Sequence, residues 1–152
     1  RYAAASKWAS TSGLGSLVRQ DGRSASLTAP SGQAQLDLLV ATLALSSLVA
    51  DATTLDEAHG TGTALGDPIE VGALRAALMT SARAAVLTLS GVKGNAAHAE
   101  PAAGHSGVFA LLLAAEASMV VPNAQLRALN PYVAAPSIVM RLRCRCQCSF
   151  HR

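Results

Sequence analysis

Between residues 33 and 48 the apolar side chains Leu36, Leu39, Val40, Leu43, Ala44 and Leu48 recur at intervals of three and four, the spacing of one helix face. Ser31 stands where an N-cap belongs. The run 52–57 then reads as a strand that leads into a glycine-rich turn. Pro68 suits a first helical turn, and Ile69, Val71, Ala73, Leu74, Ala77 and Leu78 carry a helical pattern to about Ser81. Val86, Leu87, Leu89 and Val92 mark a buried strand over 84–92, a loop is predicted over 93–104, and an apolar helix runs from there to Val120. Pro122 and Asn123 break it, and a short strand is expected over 126–133. Ahead of all this, 13–18 reads as a short strand or turn and 21–32 as a loop rich in small hydroxyl residues. The order helix, strand, helix, strand, helix predicts an α/β fold with parallel or mixed strands.

The apolar stretch 107–121 is interrupted by Glu116 and Ser118 and stopped by Pro122. A membrane span needs about 20 apolar residues, so a buried helix is expected there and no membrane span. Hydrophobic residues make up 51% of the 152 and charged residues 14%, which excludes a disordered chain. Aromatics are only 3%, so the core must be built from Ala, Leu and Val.

Charge is unevenly placed. Residues 1–140 hold eight Lys or Arg against nine Asp or Glu, whereas 141–152 hold four Arg and no acid, so the net +3 belongs to the tail. That removes the usual argument for nucleic-acid binding by the body. Cys144, Cys146 and Cys148 lie in the same tail at alternate positions, which is neither metal-site spacing nor a disulfide framework. Residues 141–152 are therefore expected to be a disordered or foreign end, and 1–140 the folded unit. Arg1 is not a start methionine and no secretory pattern follows it, so the chain reads as a piece of a longer parent, with residues 1–12 packed there.

Two stretches carry chemistry. The first, Glu57-Ala58-His59-Gly60-Thr61-Gly62-Thr63-Ala64-Leu65-Gly66-Asp67-Pro68-Ile69-Glu70, puts one histidine on the glycine turn. The second, Gly91-Val92-Lys93-Gly94-Asn95-Ala96-Ala97-His98-Ala99-Glu100-Pro101-Ala102-Ala103-Gly104, puts another after the second strand. An imidazole on a turn can donate a hydrogen bond, and two such donors can face one developing oxyanion. The first stretch lacks the G-K-[ST] of a phosphate loop, and His98-Ala99-Glu100 lacks the P-C-x-x-C that a zinc deaminase requires.

Together these stretches resemble the β-ketoacyl synthase (ketosynthase) domain of polyketide and fatty-acid synthases, a branch of the thiolase-fold condensing enzymes. Residues 57–70 match E-A-H-G-T-G-T-x-x-G-D-P-I-E at every specified position. Val92, Lys93, Asn95, His98, Glu100, Ala102, Ala103 and Gly104 match V-K-S-N-I-G-H-x-E-x-A-A-G, and 21–30 resembles D-G-R-S-x-G-L-T-A-P. The resemblance covers 13–132 and implies an incomplete thiolase-like fold: the C-terminal half of a five-layered αβαβα arrangement. The family's nucleophilic cysteine, in a D-T-A-C-S-type motif of the N-terminal half, is absent from these residues.

By resemblance His59 and His98 assist decarboxylation, and Lys93 is the active-site lysine with Glu100 as its local partner. Asn95 is supporting, while Thr61, Thr63, Gly60 and Gly62 line the pantetheine arm of the substrate. No metal and no directly bound cofactor is implied; substrates ride on the phosphopantetheine of an acyl carrier protein, and the complete enzyme is a homodimer. No compartment is encoded, and the resemblance implies cytoplasm or plastid. The two ring systems are expected to converge, with their nitrogens roughly 4 to 7 Å apart if both donate to one oxygen. Gly94 stands for the family's serine and Ala96-Ala97 for its I-G. If position 97 needs a positive φ, alanine there costs about 1 kcal/mol. The other reading of the chain is a catalytically silent homologue with a structural or dimer-assembly role.

Overall fold

The computed structural model describes residues 11–24, 26, 29–126, 129–133 and 140–142. Helix α1 spans Gly32–Ser46 and starts where Ser31 Oγ accepts the Ala34 N–H at 3.2 Å. It ends at Ser47 in a left-handed conformation, φ 55°, whose N–H returns to Ala44. Strand β1, Leu55–Glu57, is followed by helix α2, Gly66–Leu78, and strand β2, Leu87–Ser90. A single helical turn, α3, Lys93–Ala96, precedes helix α4, Ala103–Ala117, and strand β3 is Met140–Leu142.

The strands form one parallel sheet in the order β1-β2-β3, with Leu55 opposite Thr88 and Leu87 opposite Met140. Strand residues alternate faces, so the sheet separates two environments. Leu87 and Leu89 face the α2 side, where they pack with Val71, Leu74, Ala77 and Leu78. Leu36, Leu39 and Leu43 of α1 close that core from outside. On the opposite face, α4 crosses β1, and Gly107 approaches the Glu57 stem.

Differences from the expected elements have local causes. A 3-10 turn at Ala50–Ala52 shortens the first strand, and α2 begins two residues before Pro68, at Gly66, whose N–H donates to Thr63 Oγ1. The loop after β2 contains α3 and a second 3-10 turn, Glu100–Ala102. The described residues of 126–133 form no strand: Pro131–Val133 make a turn, closed by the Val133 N–H on Asn130 O at 2.9 Å.

Two further expectations need correction. Helix α4 is not a buried helix, since only Ala103 is buried and Val108, Phe109 and Leu113 are 56%, 59% and 56% exposed. The described part of the chain puts β1 and the preceding 3-10 turn against it, and leaves Val108, Phe109 and Leu113 exposed. The division at Met140 also falls inside an element, because Arg141 and Leu142 pair with Thr88 and Leu89. The rest of the proposed tail, 143–152, lies outside the described residues, as do all three cysteines. Among the described residues no helix is long and apolar enough to cross a membrane.

Candidate active site

At the end of β1 the Ala58 N–H still bonds to Ser90 O, at 2.8 Å, and then the chain leaves the sheet. The turn that follows needs two left-handed residues, and Gly60 and Gly62 supply them with φ 52° and 77°. Its exposed N–H groups are collected by the start of α2. Glu70 accepts from His59 N at 2.5 Å through one oxygen and from Gly60 N at 2.9 Å through the other. Asp67 Oδ1 accepts from Gly62 N at 3.1 Å, and Thr63 Oγ1 from Gly66 N at 3.1 Å. The acids also sit at the positive end of the α2 dipole. They fix the backbone of His59 and leave its ring free.

The second loop is anchored differently. Val92 N–H bonds to Glu57 Oε1 at 2.5 Å, which ties the loop to the strand that carries the first histidine. Asn95 reaches across to 122–124, donating to Pro122 O at 3.2 Å and accepting from Ala124 N at 2.7 Å. A Cβ at position 94 would collide with the Asn123 side chain, so glycine there is what that packing requires. Ala97 has φ 62° and ψ 179°, a conformation close to one reserved for glycine, so the anticipated strain is present. Glu100 is also left-handed, φ 47°, and its backbone N–H donates to His98 Nδ1 at 3.0 Å. With Nδ1 accepting, the ring proton resides on Nε2, where it can be donated outward.

The outcome is convergence. The His59 and His98 rings lie with centroids 5.6 Å apart and planes at 86°, an edge contact. Both rings are exposed, so each still has its donor open to an incoming group. Lys93, Gly60, Thr61, Gly62 and His98 border a cavity of about 660 Å³, which residues 123, 125, 126 and 129–133 also line. His59, Thr61 and Thr63 border an adjoining cavity of about 470 Å³. Thr61 thus touches both spaces, and Thr63 combines the second with its capping bond.

Glu100 does not partner Lys93. Among the described residues the ion pair formed is Arg19 with Asp37, at 2.9 Å. The left-handed turn at Glu100 brings its main chain to His98 and leaves its carboxylate exposed. Asp56 is the perturbed acid of the region: burial, then the charges of Glu70 and Glu57, raise it to about 6. The residues that sequence reasoning left without a role are Glu57, Asp67 and Glu70. The signal was available, since acids that flank a glycine turn next to a helix start are candidates for its unpaired N–H groups.

A family profile described as beta-ketoacyl synthase, C-terminal domain, matches residues 12–127. The chain is 42% identical over 123 residues to a phenolphthiocerol/phthiocerol polyketide synthase of Mycobacterium tuberculosis, covering 81% of this chain and 8% of the relative. It is 44% identical over 118 residues to the non-reducing polyketide synthase Preu6 of Preussia isomera, covering 78% and 5%. The fold superposes on the ketosynthase from module 6 of the bacillaene synthase of Bacillus subtilis 168 with TM-score 0.79 and 30% identity, covering 86% of this chain and 23% of that one. An oxazolomycin ketosynthase domain of Streptomyces albus, OzmH KS7, gives 0.76 and 31%, covering 83% and 22%. The chain therefore spans only a small part of the length of these relatives.

Proposed function

Since this chain belongs to the β-ketoacyl synthases, as their C-terminal thiolase-fold domain of the polyketide synthase kind, we propose that it supplies the two oxyanion donors of a decarboxylative Claisen condensation. The nucleophilic cysteine is supplied by a part of the enzyme upstream of Arg1. The observation that carries this reading is the 5.6 Å edge contact of His59 and His98, reached from two separate loops.

In the proposed reaction the acyl group is held as a thioester on that cysteine. A malonyl thioester on the phosphopantetheine of an acyl carrier protein enters beside Thr61 and Thr63. Cleavage of its carboxyl C–C bond releases carbon dioxide and leaves the electron pair as an enolate, whose oxygen accepts from His59 and His98. The enolate carbon attacks the acyl carbonyl, the new C–C bond forms, and the cysteine departs as thiolate. Lys93 holds carboxylate or carbonyl groups at the cavity rim. Each preorganised donor in a dry site is worth about 3 to 4 kcal/mol. Here both rings are exposed, so the full effect requires the rest of a ketosynthase dimer to close over them.

The second reading, a silent homologue, draws on Ala97, whose strain in a glycine-like conformation loosens the aim of His98. The two are separated in a complete ketosynthase containing this chain, with a labelled acyl thioester and a malonyl thioester. Changing His59 or His98 to Ala should spare acylation and lower carbon dioxide release roughly 100- to 1,000-fold. Stable, stoichiometric acylation of the 152-residue chain by itself outside 141–152 would overturn the division of labour.

A further inference from the structure

The contact between Glu57 and Val92 joins the two histidine loops, and it is independent of every residue given a role above. It lies beyond the β1–β2 pairing and the Ala58–Ser90 backbone bond, and links the strand leading to His59 with the loop that carries His98. Glu57 ends β1, two residues before His59, and Val92 immediately precedes Lys93. Val92 is the N-cap residue of α3 and has no side-chain cap of its own, so its N–H depends on the carboxylate brought from the neighbouring strand. From Val92 the constraint is passed on by the bonds Ala96 N–H to Val92 O, 3.0 Å, and Ala97 N–H to Lys93 O, 2.9 Å, which end one residue before His98. The other side-chain anchors of the loop, Asn95 on 122–124 and Glu100 N–H on His98, tie it to itself and to the chain after α4, not to the turn that carries His59.

We propose that Glu57 is a positioning residue that sets the separation of the two imidazoles through its bond to the Val92 N–H. The proposal rests on the reading of His59 and His98 as paired oxyanion donors. Removing the carboxylate leaves both rings in place chemically but lets the second loop drift, and misplacement by about 1 Å can cost of order a hundredfold in rate. Acylation of the cysteine uses no donor on this loop and should be indifferent.

The test uses a complete ketosynthase containing this chain, as wild type, Glu57→Gln, Glu57→Ala and His98→Ala. Three readouts are taken: acylation rate, carbon dioxide release from malonyl thioester, and the imidazole nitrogen shifts of His98 with amide exchange of the Val92 segment. Glu57→Ala should lower decarboxylation tenfold to a hundredfold, change acylation less than twofold, shift the His98 ring signals and speed Val92 exchange. Glu57→Gln keeps an acceptor and should recover most of the loss, which also covers the case in which the alanine variant does not fold. Unchanged His98 signals and decarboxylation in both variants would overturn the proposal, as would equal loss of acylation and decarboxylation. If His98→Ala itself leaves decarboxylation intact, the functional reading falls, and the brace is then judged on the His98 signals and Val92 exchange alone.

Discussion

Helices α2 and α4 occupy comparable places, each following one strand of the same parallel sheet, and they are packed in opposite ways. Helix α2, 13 residues, buries Val71, Ala73, Leu74, Ala77 and Leu78. Helix α4, 15 residues and more apolar, buries only Ala103. The first is covered because α1 and the leucines of β2 are present to meet its stripe. The second is rich in apolar residues, a composition that suits a helix enclosed by protein, yet among the described elements β1 and the short turn before the helix are its main neighbours. Hydrophobicity sets how much a helix gains from a partner, and the chain around it decides whether that partner exists. The solved ketosynthases to which this chain corresponds are about three to five times longer than the stretch matched, so material that could cover α4 exists in them.

The contrast is broken most directly at its two centres. Leu74→Ala, next to the fully buried Leu87, should lower stability by about 3 to 4 kcal/mol in the chain by itself, whereas Leu113→Ala should change it by less than about 0.5. In a complete ketosynthase the two substitutions should cost similar amounts. Denaturant unfolding of both proteins measures this, and an α4 variant that stays neutral in the complete enzyme would show that the helix is an outer one.

The α2 side also carries a buried charge effect that α4 lacks. Asp56 lies in register with Leu89 on the core face, and burial first, then Glu70 and Glu57, raise its pKa from 3.8 to about 6. A carboxyl raised on folding binds its proton more tightly in the native state, so it lowers stability as pH rises through the window from about 4 to about 6. Above that window the full penalty, roughly 2 to 3 kcal/mol, applies. Asp56→Asn should remove it, and unfolding free energies at pH 4 and 7 should then differ less than in the parent.

The carboxyl ends of the two helices differ too. Leu78 O accepts from Arg83, a buried guanidinium that also donates to the carbonyls of Ala50, Thr53 and Ala85. Arg83→Met should cost about 1 to 3 kcal/mol through the orphaned carbonyls. Helix α4 ends on Ser118 with φ 50°, so Ser118→Gly should stabilise it slightly, by roughly 0.5 to 1 kcal/mol. A thermal shift series resolves both signs. A gain of similar size is expected from Ala97→Gly, about 1 kcal/mol or less of relieved strain, read as a slight rise in melting temperature.

The sequence determined the helix over 33–48 with its Ser31 cap, the first two strands, the apolar pattern of α2 and the two histidine motifs, because each is written in spacing of three, four or two and in local turn chemistry. It also showed where an alanine replaces the family's glycine at 97, with strain to follow if a positive φ is needed there, and the fold then set that φ at 62°. Tertiary structure alone decided the rest. The 5.6 Å meeting of His59 and His98 depends on β1 and β2 being parallel neighbours, and pairing is not a local property. Glu57 braces Val92 across 35 positions, a contact no periodicity announces. Lys93 and Glu100, close in sequence, stay unpaired because a left-handed residue turns one carboxylate outward. Arg141 and Leu142, which composition assigned to a tail, pair with β2 because an unpaired strand edge takes whatever backbone reaches it, and main-chain hydrogen bonds do not depend on the side chains beside them. The bare face of α4 makes the same point in reverse: its residues set the demand for burial, and only the three-dimensional neighbourhood can supply it.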